Sequence, residues 1–355
     1  MNVRTTSKFG QALQSFWPAI SLIALIAIAT AVVSLLTPSM FQTVWNEILI
    51  RIVLVIGLYI FIGNSGIFAF GHVAFACIGG YMAAWLTMDP MFKQIMLTGL
   101  PVSVQEGQWS PLIGVLAATA FAAFVALIVG AVIVRLSDIA ASIATFAFMI
   151  VVNRVYANWD SVTGGVAPLT NIPGFGGLWV TVAFVAVVIL VAFLFQRSRY
   201  GLMLKASRDD EVAARAAGVS VYGMRLLAFV LSAAVVGCGG ALYTFFLGIL
   251  NVDAFYLSLT FMLLVMLVVG GTESLAGAVL GVVCVSLIAE LLRSFERGVA
   301  ISESVTLSLP LGSQEIGLGI FMVITLIHRS SGLMRGKEIG FPKFLLNHIE
   351  KDAAQ

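Results

Sequence analysis

Charge is what this sequence has least of. One residue in ten of its 355 is charged, and nineteen Lys and Arg nearly balance seventeen Asp and Glu. About a quarter of a soluble domain is charged, so a water-soluble globule is excluded; the net charge of +2 says little by itself, and no nucleic-acid partner is expected. Lysine is scarce, with six in all, and none closes a G-x-x-x-x-G-K-[ST] loop; Lys337, in "RGKE", is followed by Glu. That loop is what holds nucleotide phosphates with backbone amides and a lysine, so the chain carries no ATP site or other cofactor of its own. There is no H-E-x-x-H, no G-x-S-x-G and no cluster of His and Cys ligands, which leaves no catalytic residue and no metal site to propose. Cys77, Cys238 and Cys284 fall singly inside apolar runs and read as small packing residues that report no redox compartment. No chain of deep acidic residues exists to relay protons or bind a coupling cation, which weighs against an ion-driven carrier, although backbone carbonyls could hold Na⁺.

What the sequence has instead is oil. Sixty per cent of residues are apolar and the mean hydropathy is +1.06, and long apolar runs recur, so the fold class is an all-α integral membrane protein. Ten segments are predicted, near 17–36, 46–63, 66–87, 111–134, 138–158, 176–195, 226–249, 257–270, 274–293 and 314–328. The eighth is short for a span and could be tilted or re-entrant, which keeps eight or nine crossings open. The first run is too long for a signal peptide and lacks a small-residue cleavage site, so it is read as a retained helix. With the N-terminus inside, fourteen of the nineteen basic residues fall on the cytoplasmic side, which predicts an N-in, C-in chain with ten crossings. The domains are then a cytoplasmic tail at 1–16, a transmembrane domain at 17–328 with a cytoplasmic loop at 196–225, and a second cytoplasmic tail at 329–355.

Glu47 and Arg51, and Glu290 and Arg293, are spaced to pair on one helix face near the outer ends of their segments. Helix breaks stand out more. "GNSG", residues Gly63, Asn64, Ser65 and Gly66, and "GGTES", opening with Gly270, Gly271 and Thr272, each interrupt a long apolar run. Such breaks are either tight turns between spans or exposed backbone lining a cavity. His72 lies within a predicted span, where it could pin two helices by a hydrogen bond or serve a substrate or gate. The outer loop at 160–177, with Thr163, Gly164 and Gly165, is rich in Gly and Pro and has no basic residue, which suits a rigid lid or a plain connector.

The most charged internal stretch is "SRDDEVAARAAGVS", 207–220. Ser207 and Asp210 form an S-x-x-D capping pattern, Asp209, Asp210 and Glu211 suit the positive end of a helix dipole, and Glu211 and Arg215 form an i,i+4 pair. Gly218 can close the helix. The prediction is a short helix near 208–217, following Arg208 and carrying Ala214 and Ala217, with Val212, Ala213 and Ala216 small enough for a partner backbone to approach. It is either an amphipathic connector or a docking helix.

These residues resemble a known family, the LivM-type permease subunits of ABC importers for branched-chain amino acids. The resemblance covers roughly 50–335 and rests on "GNSGIFAFGHVAFACIGGYMAAWL", on "TGG" and "IP" in the outer loop, on "VVGGTESLAGAVLG" and "HRSSGLM", and most on "RSRYGLMLKASRDDEVAARAAGVSVYGMRLLAFVLSAAVVGCGGALY". It implies a multi-pass subunit of a bacterial inner membrane. Its partners would be a second related permease, two cytoplasmic ATPases carrying ATP and Mg, a periplasmic binding protein and membrane lipid. Ser207 to Gly218 would be the coupling helix against an ATPase. The path or gate would draw on Gly63 to Gly66, His72, Thr163 to Gly165 and Gly270 to Thr272. Departures bear on the substrate: Val166 to Leu169 replace Ser-Asp-Gly-Leu, Ala278 stands where Pro is usual, and Ser330 follows Arg329 in place of Pro. Urea, short amides and small aromatic acids therefore stay open beside amino acids. A passive solute channel or a membrane scaffold would be readings of a different class.

Overall fold

A computed structural model describes residues 8–297, 299–302, 305–307, 310, 312–329, 332–334, 336 and 338. Residues 1–7 of the first tail and 339–355 of the second lie outside the described residues, as do Ser330 and Lys337.

Each of the ten apolar segments contains a helix. The first two are α1 (Lys8–Leu36), which begins well before the apolar run, and α2 (Ser39–Ser65). The third segment is not helical throughout: residues 66–72 are irregular, and only α3 (Val73–Thr87) is helical. Two short loop helices, α4 (Pro90–Met96) and α5 (Val102–Glu106), precede α6 (Pro111–Ile133) and α7 (Asp138–Ala157). A single turn, α8 (Asp160–Thr163), leads through the loop to α9 (Leu178–Arg197), α10 (Arg199–Asp209) and α11 (Glu211–Ala216). Then follow α12 (Val221–Leu247), a 3₁₀ turn at Val252–Phe255, α13 (Leu257–Gly270) and α14 (Leu275–Arg297). A small antiparallel hairpin, β1 (Val299–Ser302) with β2 (Val305–Leu307), precedes α15 (Ser313–His328). Among the described residues, eight helical segments are long and apolar enough to cross a membrane, the seventh only when the 3₁₀ turn is joined to α13; Val73–Thr87 and Ser313–Thr325 are shorter.

The centre is α2, whose residues from Ile48 to Ser65 are all buried. Around it, α12 packs on α2, α3 and α6. No hydrophobic force drives helices together in lipid, so close backbone approach carries association there. The α3–α12 seam shows it, since a Cβ on Gly79 would lie 2.7 Å from the Cα of Gly237. By contrast α1, α6 and α7 present Ile28, Phe124, Ile128, Ile139 and Ile143 outward, as helices with a lipid-facing side do. Two of the expected ion pairs form, Arg51 with Glu47 and, at 3.3 Å, Arg293 with Glu290. The loop before α6 is organised around fully buried Lys93, whose Nζ donates to the carbonyls of Trp85, Val104 and Gly107.

Candidate functional site

The "GNSG" break begins later than the sequence suggests. Gly63, Asn64 and Ser65 are still helical, and Asn64 Nδ2 and Ser65 Oγ donate back to the carbonyls of Ile60 (2.9 Å) and Phe61 (2.8 Å). The helix stops at Gly66, whose φ of +76° is a left-handed conformation that side-chain-bearing residues avoid. α13 likewise ends at Gly270, with Gly271 at φ +112° turning the chain toward α14.

The two breaks meet in space. A Cβ on Gly63 would lie 2.6 Å from the carbonyl oxygen of Thr272, so the α13–α14 turn sits directly on the last turn of α2. Arg208 fastens both. Its Nη1 donates to the Gly63 carbonyl at 2.9 Å and its Nη2 pairs with Glu273 at 2.7 Å. The last carbonyls of a helix have no intrahelical partner, so Arg208 fills an acceptor that α2 leaves open.

The charged stretch itself differs from the single helix predicted at 208–217. Ser198 caps α10, accepting from the amide of Gly201 at 3.2 Å, and that helix carries the chain through Asp209. Ser207 is therefore no cap; it is buried and donates to the Leu204 carbonyl. Asp210 is extended (φ −152°) and is the cap of α11, accepting from Ala213 N at 2.9 Å. A second helix start competes successfully because Asp210, unlike Ser207, has a free amide three residues ahead of it. The Glu211–Arg215 pair forms as expected, and Gly218 takes φ +84°. Arg225, at the start of α12, pairs with Glu211 (3.1 Å) and with Asp138 (3.0 Å), joining α11, α12 and α7. On α11 and its C-terminal end, Ala214 faces inward, while Val212, Ala213, Arg215, Ala216, Ala217 and Gly218 are exposed, Val212 to 79%.

A third strand of chain closes this end of the bundle. Leu333 N donates to Val269 O at 2.9 Å, and the Glu338 carboxylate accepts from Leu275 N (2.8 Å) and Ala276 N (3.2 Å), capping α14. Nearby, burial pulls the Lys205 ammonium below its usual range, opposed first by Glu338. Nothing in the sequence marked Glu338, since it lies more than sixty residues from the amides that it caps.

The remaining predicted residues lie elsewhere. Thr163, Gly164 and Gly165 sit beyond the other end of α7, whose twenty residues separate them from Asp138 by about 30 Å. Thr163 Oγ1 is within 2.6 Å of Tyr156 O and 2.8 Å of Trp159 O, and the loop is held by paired backbone bonds between Leu169 and Leu250. His72 corrects an expectation: it is in the irregular 66–72 stretch, fully buried, with no hydrogen bond at either ring nitrogen among the described residues. It packs among Phe61, Phe75 and Phe229, the last 4.8 Å away between ring centroids.

Arg208, on α10, thus ties the two helix breaks to the segment that leads into α11. The described residues contain no cluster of His, Cys, Asp or Glu able to hold a metal ion. Residues 40–326 match the family model described as "Branched-chain amino acid transport system / permease component". The chain is 27% identical over 322 residues to the high-affinity branched-chain amino acid transport system permease protein LivM of Escherichia coli (strain K12), covering 81% of this chain and 68% of that one. The same figures hold for LivM of Salmonella typhimurium. A probable LivH of Methanocaldococcus jannaschii is 27% identical over 110 residues, covering 30% of this chain and 34% of the relative. No solved structure matches. With eight span-forming helical segments among the described residues and a family match over most of its length, the chain is a multi-pass membrane protein that belongs to the branched-chain amino acid transport permease family.

Proposed function

We propose that this chain is the translocating subunit of an ATP-driven importer in a bacterial inner membrane, for branched-chain or similar amphipathic amino acids. It receives substrate from a periplasmic binding protein, pairs with a second related permease and is driven by two cytoplasmic ATPases that carry ATP and Mg. The observation that carries this reading is the connection at Arg208. An exposed, small-residue helix with Val212, Ala213 and Ala216 outward directly follows α10, whose Arg208 reaches the last turn of α2 and the α13–α14 turn. Force applied to α11 would pass through α10 and Arg208 to the last turn of α2 and the α13–α14 turn. N-in, C-in orientation with α10 and α11 in the cytoplasm follows from the basic residues of 196–225. In this arrangement Ser207, Ala214 and Arg208 brace the coupling segment from inside, and the exposed residues of α11 with Ala217 and Gly218 meet the ATPase. Nucleotide-driven movement of the segment then shifts the spans between outward and inward access.

The test is copurification from native membranes. The wild-type chain should bring down an ATPase chain, and Val212→Arg, on the exposed face, should weaken that association at least about tenfold. A chain that purifies alone and conducts solute in liposomes without ATP would sink the importer reading in favour of a passive channel.

A further inference from the structure

Two cavities meet at the end of the bundle that carries Arg208. The inner one, of about 290 Å³, lies against both helix breaks, with Ser65, Gly66 and Thr272 in its wall beside Ser207 and Arg208 of α10. The other, a surface cavity of about 920 Å³, lies between the α6–α7 loop, α11 and the start of α12, with Arg135, Ser137, Arg215 and Tyr222 in its wall. Three residues line both cavities: Asp138, Glu211 and Arg225. The partition between them is therefore a single ion cluster.

Each member of the cluster comes from a different helix. Asp138 and Glu211 are the first residues of α7 and α11, and Arg225 is near the start of α12. Among the described residues no backbone hydrogen bond joins these three helices to one another, so the wall is made of side chains. Its charges are unequally placed. The Arg225 side chain is 8% exposed, against 34% for Glu211 and 62% for Asp138.

A buried guanidinium stripped of its partner is strongly unfavourable. Arg225 has two acids, and one nitrogen, Nη2, serves both, Glu211 at 3.1 Å and Asp138 at 3.0 Å. Either acid can leave while the other keeps the charge compensated. Glu211 is the one placed to leave, because its second carboxylate oxygen is held by Arg215 of its own helix. A moving α11 thus carries that carboxylate away still paired, and a pair with so hydrated an acid resists separation weakly.

We propose that Arg225 is the inner gating residue of the permease. With Glu211 against it, the cluster divides the cavity at the helix breaks from the surface cavity. When α11 withdraws Glu211, Arg225 stays with Asp138 and the two cavities become continuous. This rests on the importer reading, which supplies the movement of α11.

The test uses the importer complex in inside-out native membrane vesicles, with Cys284→Ser as background and Ser65→Cys, in the inner cavity wall, as reporter. A charged, membrane-impermeant methanethiosulfonate reads access from the cytoplasmic side. Ser65 is buried, so the reporter should label slowly while Arg225 is present. Without nucleotide, Arg225→Gln should speed labelling at least about tenfold. Arg225→Lys should stay slow, since one ammonium can replace the one nitrogen that serves both acids. Arg135→Gln, which removes a charge from the surface cavity alone, should leave the rate unchanged. Buried Cys77 and Cys238 report loosening of the bundle, and in variants without the reporter they should stay unlabelled. ATP should speed labelling when Arg225 is present and have no effect in Arg225→Gln. Unchanged labelling in Arg225→Gln, equal acceleration in Arg135→Gln, or labelling of Cys77 and Cys238 overturns the gate. ATP-driven leucine uptake by proteoliposomes of the same complex separates the two readings. Uptake without an Arg225→Gln effect removes the gate alone; that effect without ATP-driven uptake removes the importer reading and leaves the partition.

Discussion

Arg208→Gln is the substitution that most directly probes the connection between the coupling segment and the spans. The side chain makes two contacts of different worth. The bond from Nη1 to the Gly63 carbonyl is charge-assisted and satisfies a buried helix-terminal acceptor, worth about 1.5–3 kcal/mol. The pair with Glu273 is weaker, because that carboxylate is 54% exposed, and such pairs contribute about 0.2–1 kcal/mol. Glutamine is too short to reach both, so Arg208→Gln should cost about 2–3 kcal/mol in thermal melting of the detergent-solubilised chain. Glu273→Gln should cost under about 1 kcal/mol, and the double variant should cost little more than Arg208→Gln. If the coupling force passes through this contact, ATP-driven uptake should fall by at least about tenfold, since 1.4 kcal/mol corresponds to that factor. ATPase copurification should persist, because the exposed face of α11 is untouched. Wild-type uptake and melting in Arg208→Gln would refute the mechanical role. Equal losses from Arg208→Gln and Glu273→Gln would refute the division of energy between carbonyl and carboxylate.

Other consequences follow from the same geometry. Gly63→Ala should destabilise by about 1–3 kcal/mol, seen as lower melting temperature and folded yield, because the new methyl meets the Thr272 carbonyl, a backbone atom that cannot swing aside. Tyr59→Phe removes the 2.7 Å bond to Gln196 that joins α2 to α9; the cost in melting should be about 0.6–1.7 kcal/mol, the range for hydrogen bonds between spans. Glu338→Ala uncaps α14 and should cost about 0.5–2 kcal/mol, whereas Glu338→Asp, one methylene shorter, should fall between Ala and wild type if the cap is what matters.

The positions of the helices were legible in the sequence because each apolar run carries its own reason to be helical: in lipid the backbone must satisfy itself within the segment. The count of spans was less so. Residues 66–72 are as apolar as a helix, yet Gly66 at φ +76° ends α2, and Gly71 lets the irregular stretch approach the Thr145 carbonyl where a Cβ would clash. That obstacle sits on a helix seventy residues away. Capping was half legible: "DDEVAAR" announced a helix start, but whether Ser207 or Asp210 begins it depended on whether α10 had already claimed Ser207.

By itself the sequence determined the solvent this protein lives in, the helices it forms, the glycine breaks and the charged segment that sets it apart from an inert bundle. These are properties of composition, period and local hydrogen bonding, readable within a few residues. Only the tertiary structure decided which breaks belong together. Gly63, Thr272 and Arg208 are far apart in the chain and form one contact, Glu338 caps a helix more than sixty residues before it, and Arg51 gains its aliphatic neighbours from α13 and α15. Such contacts arise from how helices cross, and no local pattern encodes them.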